Sequence, residues 1–277
     1  MATAPTTKTI EELVRANPDV DNSGAYTALW SILTEFVNKL RDSFELYEDT
    51  YIKDKYQPYT SADGKNHGFV QGFHGPRMDW VLNSWTGNPE TSFTNAHLNI
   101  WLGPQVRVPH LALVFGTVPD FFFYIDYVPR VDLQVNAEYL DKYFTEGDQH
   151  LNRMMNDKRY TPFFSQDPYM RAAMSPSALC FTTKACEEEF AMYRDLGHEY
   201  MDRWLGWIDE ATPVPLEEQA AIARRDLWVR RLAIEKDPVN GFAEKLLGKE
   251  LATDLVRTMW GGNRRSKRII EDLNPQG

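Results

Sequence analysis

The chain has 277 residues, enough for one large domain or two small ones. Hydrophobic residues make up 43% and charged residues 25%, the balance of a globular protein with a sizeable core rather than a disordered or fibrous one. A net charge of −10 repels phosphate backbones and argues against a nucleic-acid partner, and no apolar run reaches the roughly 18 residues that a membrane span needs.

Residues 1–9 carry neither an apolar core nor an Arg-rich amphipathic stretch, so no targeting segment is expected. Residues 1–20 read as a flexible lead, and the expected setting is cytoplasmic. Leu29, Ile32, Leu33, Phe36, Val37, Leu40 and Phe44 then recur at three- and four-residue steps. That spacing predicts a helix over 26–46 with one continuous apolar stripe. From residue 51 to 129 the pattern changes to short runs rich in aromatic and β-branched residues. Strands are predicted over 69–73, 78–85, 93–102, 108–115 and 121–127. Gly75-Pro76, Gly87-Asn88-Pro89, Gly103-Pro104 and Pro119-Asp120 mark the turns between them. Connections this short leave no room for crossover helices, so the strands form an antiparallel meander.

The second half is helical. Short helices are predicted over 136–144 and 146–155, an edge strand over 178–182, long helices over 185–208 and 215–234, and a last helix over 249–260. Residues 156–177 read as a Pro- and Ser-containing loop, and 265–277 as a flexible tail. Helix, then sheet, then helices gives an α+β fold, a three-layer α/β/α sandwich with a central antiparallel sheet flanked by helices, in a single domain over 1–277. Without βαβ alternation or GxGxxG, a doubly wound nucleotide-binding fold is disfavoured.

P-loop, HExxH and GxSxG patterns are missing from the sequence. Cys180 and Cys186 make no CxxC and no Cys/His cluster, so neither a zinc site nor a disulfide framework is expected, and a reducing compartment fits. The remaining candidates are single ionisable residues. Strand alternation places His97 on one face with Asn95 and Asn99, a polar row that lines either a ligand or solvent. Histidine titrates near neutral pH and suits proton donation. His110 begins a strand. Asp126 follows five apolar or aromatic residues, as either a strand terminus or an acid aimed into a pocket. Asp237 follows the second long helix, where a negative charge opposes the helix dipole. Arg264, Arg265, Lys267 and Arg268 form a basic cluster, which is either a solvated tail or a docking patch for an acidic partner.

Several stretches, taken together and in order, resemble a known family. They are residues 108–113, 122–133, 136–144 and 171–177, and the helix end with Arg224-Arg225-Asp226, Arg230-Arg231 and Ile234-Glu235-Lys236-Asp237. Over roughly residues 69–260 they are similar to red chlorophyll catabolite reductases and the wider ferredoxin-dependent bilin reductase superfamily. The resemblance implies an antiparallel sheet between helices and reduction of a linear tetrapyrrole. It also implies electrons from ferredoxin, no bound flavin, metal or nicotinamide, and protein side chains as proton donors. Asp237 matches the family's C-terminal acid, and His97 falls where bilin reductases place a strand histidine. The family's strand acid falls at Val114, and a valine donates no proton. His110, on the same face as Val114 by alternation, and Asp126 are the candidates to take over that role. Asn95, Asn99 and Val114 are expected to line the substrate, and Arg77 and Arg130 are candidates to pair its carboxylates. Val114 also keeps two other readings open. One is a redox-independent isomerase, cyclase or lyase acting on another large conjugated metabolite, and the other is a non-catalytic pigment-binding protein. A homodimer is compatible with any of the three.

Overall fold

The stripe on the first long helix needs an apolar surface to lie on, and the strand-rich segment supplies it. The computed structural model describes residues 8–265. In chain order these residues form α1 (Ile10–Ala16), α2 (Ser23–Ser43), β1 (Tyr47–Glu48), α3 (Thr50–Tyr56) and β2 (Tyr59–Thr60). The long strands follow: β3 (His67–Gly75), β4 (Met78–Gly87), β5 (Thr94–Leu102), β6 (His110–Thr117) and β7 (Phe121–Val128). Then come α4 (Ala137–Met155), β8 (Thr161–Pro162), α5 (Pro168–Ala173) and β9 (Leu179–Thr183). The chain closes with α6 (Glu187–Asp209), α7 (Leu216–Glu235), α8 (Val239–Leu247) and α9 (Lys249–Met259).

The strands make one antiparallel sheet in the order β1-β3-β4-β5-β6-β7-β9-β8, with β2 also on β3. The predicted meander is its centre. β9 is the strand expected at the edge, but the two-residue β8 pairs outside it. Odd-numbered residues of β7 (Phe121, Phe123, Ile125, Tyr127) and even-numbered residues of β5 (Leu98, Ile100) point to one face. There they meet the stripe of α2 and that of α6, from Phe190 through Tyr193, Tyr200 and Trp204 to Ile208. The two helices approach closely at Gly197, where a Cβ would stand 2.3 Å from Cζ of Phe36. On the opposite face, α3, α8 and α9 bury Ile52, Tyr56, Leu247 and Leu255 against Val70, Trp80, Leu82 and Trp101. Helices on both faces of an antiparallel sheet make the expected three-layer sandwich. Among the described residues, no helix is long and apolar enough to cross a membrane.

Several boundaries differ from expectation, each for a local reason. Within the lead expected to be flexible, α1 forms at residue 10, because Thr9 and Glu12 close a capping box. The helices expected over 136–144 and 146–155 are one helix, α4. Gly147 does not break it. Its missing Cβ lets the helix approach Ser177 Oγ and Tyr200 Oη, which a side chain would meet at 3.1 and 3.3 Å. The loop expected over 156–177 contains β8 and the short α5, whose N-terminus is capped by Asp167. The basic cluster divides. Arg264 is buried, with Nη2 3.0 Å from Asp79 Oδ1 and its guanidinium over Trp80, so it serves neither a solvated tail nor a docking patch. Arg265 is exposed, with its N–H 2.9 Å from Asp49 Oδ2 and its guanidinium over Tyr51, and Lys267 and Arg268 lie outside the described residues.

Candidate active site

The register of the sheet sets the site. Reading across the strands, Val70, Ser84, His97, Val114, Tyr124 and Cys180 are successive partners and form one row. All point to the face covered by the late helices. In the next rows Asn95 lies opposite Thr86, and Asn99 opposite Leu82. Between this floor and the helices above it lies a cavity of about 320 Å³. Asn95, His97, Asn99 and Val114 line it from the sheet. Asp237 lines it from the α7–α8 connection, Met170 from α5 and Leu255 from α9. The lining is mostly apolar with a few polar groups, the composition of a small-molecule site.

His97 is half-buried because it faces this space. Its Nδ1 lies 3.3 Å from Ser84 Oγ, and its Nε2 lies 3.3 Å from the amide nitrogen of Asn95. With that amide donating to Nε2, the ring proton sits on Nδ1 and faces the serine. Burial pushes its pKa down to about 4, so the imidazole is neutral at neutral pH. Asp237 shifts the other way. Burial raises its pKa to about 6 against the opposing backbone N–H of Val239, 3.0 Å from Oδ1, while the like charge of Asp167 raises it further. The conflict expected at the α7 terminus is thus eased by α8, whose first N–H group turns toward this carboxylate. The cavity therefore holds a neutral base on one wall and, on the other, an acid with both protonation states in reach near pH 6.

The structure moves four candidates away from the cavity surface. His110 is on the predicted face, but its Nδ1 accepts from the Leu102 N–H at 3.0 Å, and its Nε2 lies 3.4 Å from Asp226. Its ring packs on Trp101, with centroids 4.6 Å apart, and burial lowers its pKa to about 4. Arg130 is 3% exposed. Its Nε and Nη2 bond Asp226 Oδ2 at 3.0 and 2.6 Å, and Nη1 and Nη2 reach the carbonyls of Val106 and Gly103 at 2.6 and 3.1 Å. A guanidinium so fully engaged has no donors to spare for a ligand carboxylate. Burial alone would raise Asp226, but Arg130 and His110 outweigh it and hold the pKa at about 2. Arg77 sits at the β3–β4 turn beside α6, with Nη2 3.0 Å from the Ile208 carbonyl and its guanidinium over Phe44. Asp126 is buried inside β7 beneath Ser175, neither a strand terminus nor an acid open to the cavity.

Other cavity groups are not site candidates by sequence alone, namely Ser84, Trp101, Tyr124 and Cys180. Alternation within each predicted strand gives the face of Ser84 and Tyr124. Only the inter-strand register shows that they flank His97 and Val114.

The sequence profile of the red chlorophyll catabolite reductases matches residues 50–260. The chloroplastic red chlorophyll catabolite reductase of Arabidopsis thaliana is 25% identical over 228 residues, covering 75% of this chain and 70% of that protein. The Hordeum vulgare red chlorophyll catabolite reductase is 25% identical over 162 residues, covering 54% and 79%. Among solved structures, tomato phytochromobilin synthase in complex with biliverdin superposes with a TM-score of 0.71 at 16% identity, covering 88% of this chain and 87% of that one. The expectation of a cytoplasmic protein is overturned by these relatives. The Arabidopsis protein is chloroplastic, as is a relative from Oryza sativa subsp. japonica, so they point to the chloroplast. A compartment is set by an address, and the fold carries no trace of it. The profile match runs from α3 through α9, taking in the sheet floor and the helical wall that bears Asp237, and on that match the chain belongs to the red chlorophyll catabolite reductase family, a family of oxidoreductases.

Proposed function

We propose that this protein reduces a linear tetrapyrrole in the cavity, with single electrons from ferredoxin and protons from cavity side chains. The observation that carries the reading is the convergence of His97 and Asp237 on one apolar cavity, from the sheet and from the helical layer. Family membership and a fold shared with a biliverdin-bound enzyme support it. Saturating one double bond takes two electrons and two protons, so two reduced ferredoxins act per turnover. Asp237 is the proton donor, since its pKa of about 6 keeps a protonated fraction near neutral pH. His97, neutral and held between Ser84 and Asn95, presents its ring to the ligand and orients it from the sheet.

The test is anaerobic mixing of the protein with biliverdin or red chlorophyll catabolite, followed by reduced ferredoxin. The expected result is bleaching or a shift of the long-wavelength absorption. An unchanged spectrum with both substrates would refute the proposal. The apolar Val114 at the middle of the floor favours a second reading, an isomerase, cyclase or lyase, and that reading predicts turnover of a conjugated substrate with no reductant present.

A further inference from the structure

Behind the floor of the cavity lies a second acid that the proposed reaction does not use. On β7, Phe122, Tyr124, Asp126 and Val128 share the cavity side by alternation, and Tyr124 lines the cavity itself. Asp126 is withdrawn behind it. Its Oδ2 accepts from the Ser175 N–H at 2.9 Å and from the Tyr124 hydroxyl at 2.7 Å, and its Oδ1 accepts from Ser175 Oγ. The hydroxyl of Tyr124 thus connects a buried carboxyl to the cavity. Tyr124 is the cross-strand partner of Val114, which is itself the partner of His97. Where Val114 gives the floor nothing to donate, the neighbouring strand does.

We propose that Tyr124 and Asp126 form a proton-delivery pair, in which Tyr124 hands a proton to the bound ligand and Asp126 restores it. This rests on the reading of the cavity as the reaction site and adds a second donor to it. With Asp126 protonated on Oδ2, the 2.7 Å hydrogen bond runs from the carboxyl to Tyr124 Oη and frees the phenolic proton for the ligand. When the ligand takes it, the Asp126 proton moves to Tyr124 Oη. Asp126 is then left as a carboxylate held by the two bonds from Ser175. One proton crosses to the ligand, and no electron moves. Burial raises Asp126 to about 6 against the hydrogen bonds from Ser175 and Tyr124, so the carboxyl carries a proton part of the time near neutral pH. Burial and the adjacent Asp126 hold Tyr124 far above the usual phenol range, so it passes a proton on and does not itself ionise. The titratable groups around the pair are Cys180 on β9 and Tyr200 on α6, both pushed up by burial, with Asp237 across the cavity. Asp126 is a positioning and reservoir residue, and Tyr124 is the group that faces the ligand.

The test uses the full chain and two readouts. With biliverdin and reduced ferredoxin, Tyr124→Phe and Asp126→Asn lower kcat about 100-fold or more while KM stays within about threefold, the loss expected of a removed proton donor. The loss of rate as pH rises through about 6 also becomes shallower in both variants, because one of the two acids titrating there is gone. In the ligand-free protein, infrared difference spectra between pH 4 and 8 show a protonated-carboxyl band that Asp126→Asn removes and Tyr124→Phe shifts. Should the wild type leave biliverdin unchanged while the band behaves in this way, the reductase reading falls and the pair stands. If the wild type reduces biliverdin and Tyr124→Phe matches its rate and pH profile, the pair is overturned and the reductase stands. Failure of Asp126→Asn to remove any titrating band also overturns the pair. Should Asp126→Asn not fold, Tyr124→Phe decides alone, since it removes one oxygen and keeps the ring.

Discussion

Replacing Arg130 by Met separates a structural guanidinium from a ligand-binding one. Arg130 and Asp226 are both buried, and the Asp226 pKa of about 2 against an ordinary 3.8 measures how strongly the site favours its charged form. At 1.36 kcal/mol per pH unit, that difference corresponds to about 2 kcal/mol of stability. The sign follows from the depressed pKa. The contribution is present above pH 3.8 and fades as pH falls through about 2. Arg130→Met removes it and leaves the buried carboxylate with the neutral His110 and the longer contact from Arg225 Nη1, 3.5 Å from Oδ1, while the carbonyls of Val106 and Gly103 lose their partner. Breaking a buried pair in this way costs about 3–5 kcal/mol, a large share of the 5–15 typical of a whole domain. Urea unfolding followed by tryptophan fluorescence at pH 7 is expected to show that loss. Biliverdin affinity of the folded fraction is expected to stay unchanged, since Arg130 does not line the cavity. Adding Asp226→Leu, which removes the stranded charge, is expected to recover much of the stability. A variant of wild-type stability with weakened biliverdin binding would refute the reasoning and return Arg130 to the ligand.

Asp237→Asn is expected to lower turnover of biliverdin by 100-fold or more with binding retained, checked by steady-state kinetics beside an equilibrium titration. The same variant has a stability signature of opposite sign to that of Asp226. A carboxyl raised from 3.8 to about 6 stabilises the fold at low pH and loses that contribution as pH rises between those values. The wild type is therefore expected to lose stability relative to Asp237→Asn between pH 4 and 7, which urea titrations at the two pH values read directly. Gly197→Ala is expected to destabilise by about 1–3 kcal/mol, because its Cβ would stand 2.3 Å from the Phe36 ring where α2 and α6 touch. Thermal unfolding checks it, and a wild-type midpoint would show that the two helices slide apart freely.

Much of the architecture was legible because periodicity is local. The stripe on α2 and the alternation in β5 are written in neighbouring residues, and they carried the sandwich and the His97 face. What a side chain meets across the fold is not local. Alternation puts Asp126 on the cavity side, but the Ser175 segment that covers it comes from 49 residues downstream. Arg130 reads as a partner for ligand carboxylates until Asp226, 96 residues away, is brought against it. His110 and Val114 do share a face, yet the two strand steps between them carry the histidine out of the cavity and under α7. Helix α1 was legible in principle from Thr9 and Glu12, but with seven residues it shows no apolar period to announce it. Asp237 stands out by its match to the family's C-terminal acid and as an acid at a helix C-terminus, which suits it poorly. The next helix, α8, opens two residues later and turns that conflict into a held carboxylate.

The two faces of the sheet are built for different ends. On the α2–α6 face, Phe115, Phe121, Phe123 and Tyr193 are fully buried and meet ring to ring at 4.8 to 5.7 Å. Dense packing of this kind supplies the largest favourable term in folding. The other face leaves a hollow, and the side chains around a hollow give up dispersion contacts. It also carries the polar side chains Ser84, Asn95, His97 and Asn99, and the hollow stands between two acids whose pKa values are raised by burial, Asp126 behind the sheet floor and Asp237 on the helical wall. Each of these features costs stability, and the opposite face offsets the cost. Because one pleated layer serves both faces, the packed residues Phe115 and Phe123 fix the backbone positions from which Val114 and Tyr124 face the cavity. Substitutions in the packed face therefore reach the site through the shared strand backbone.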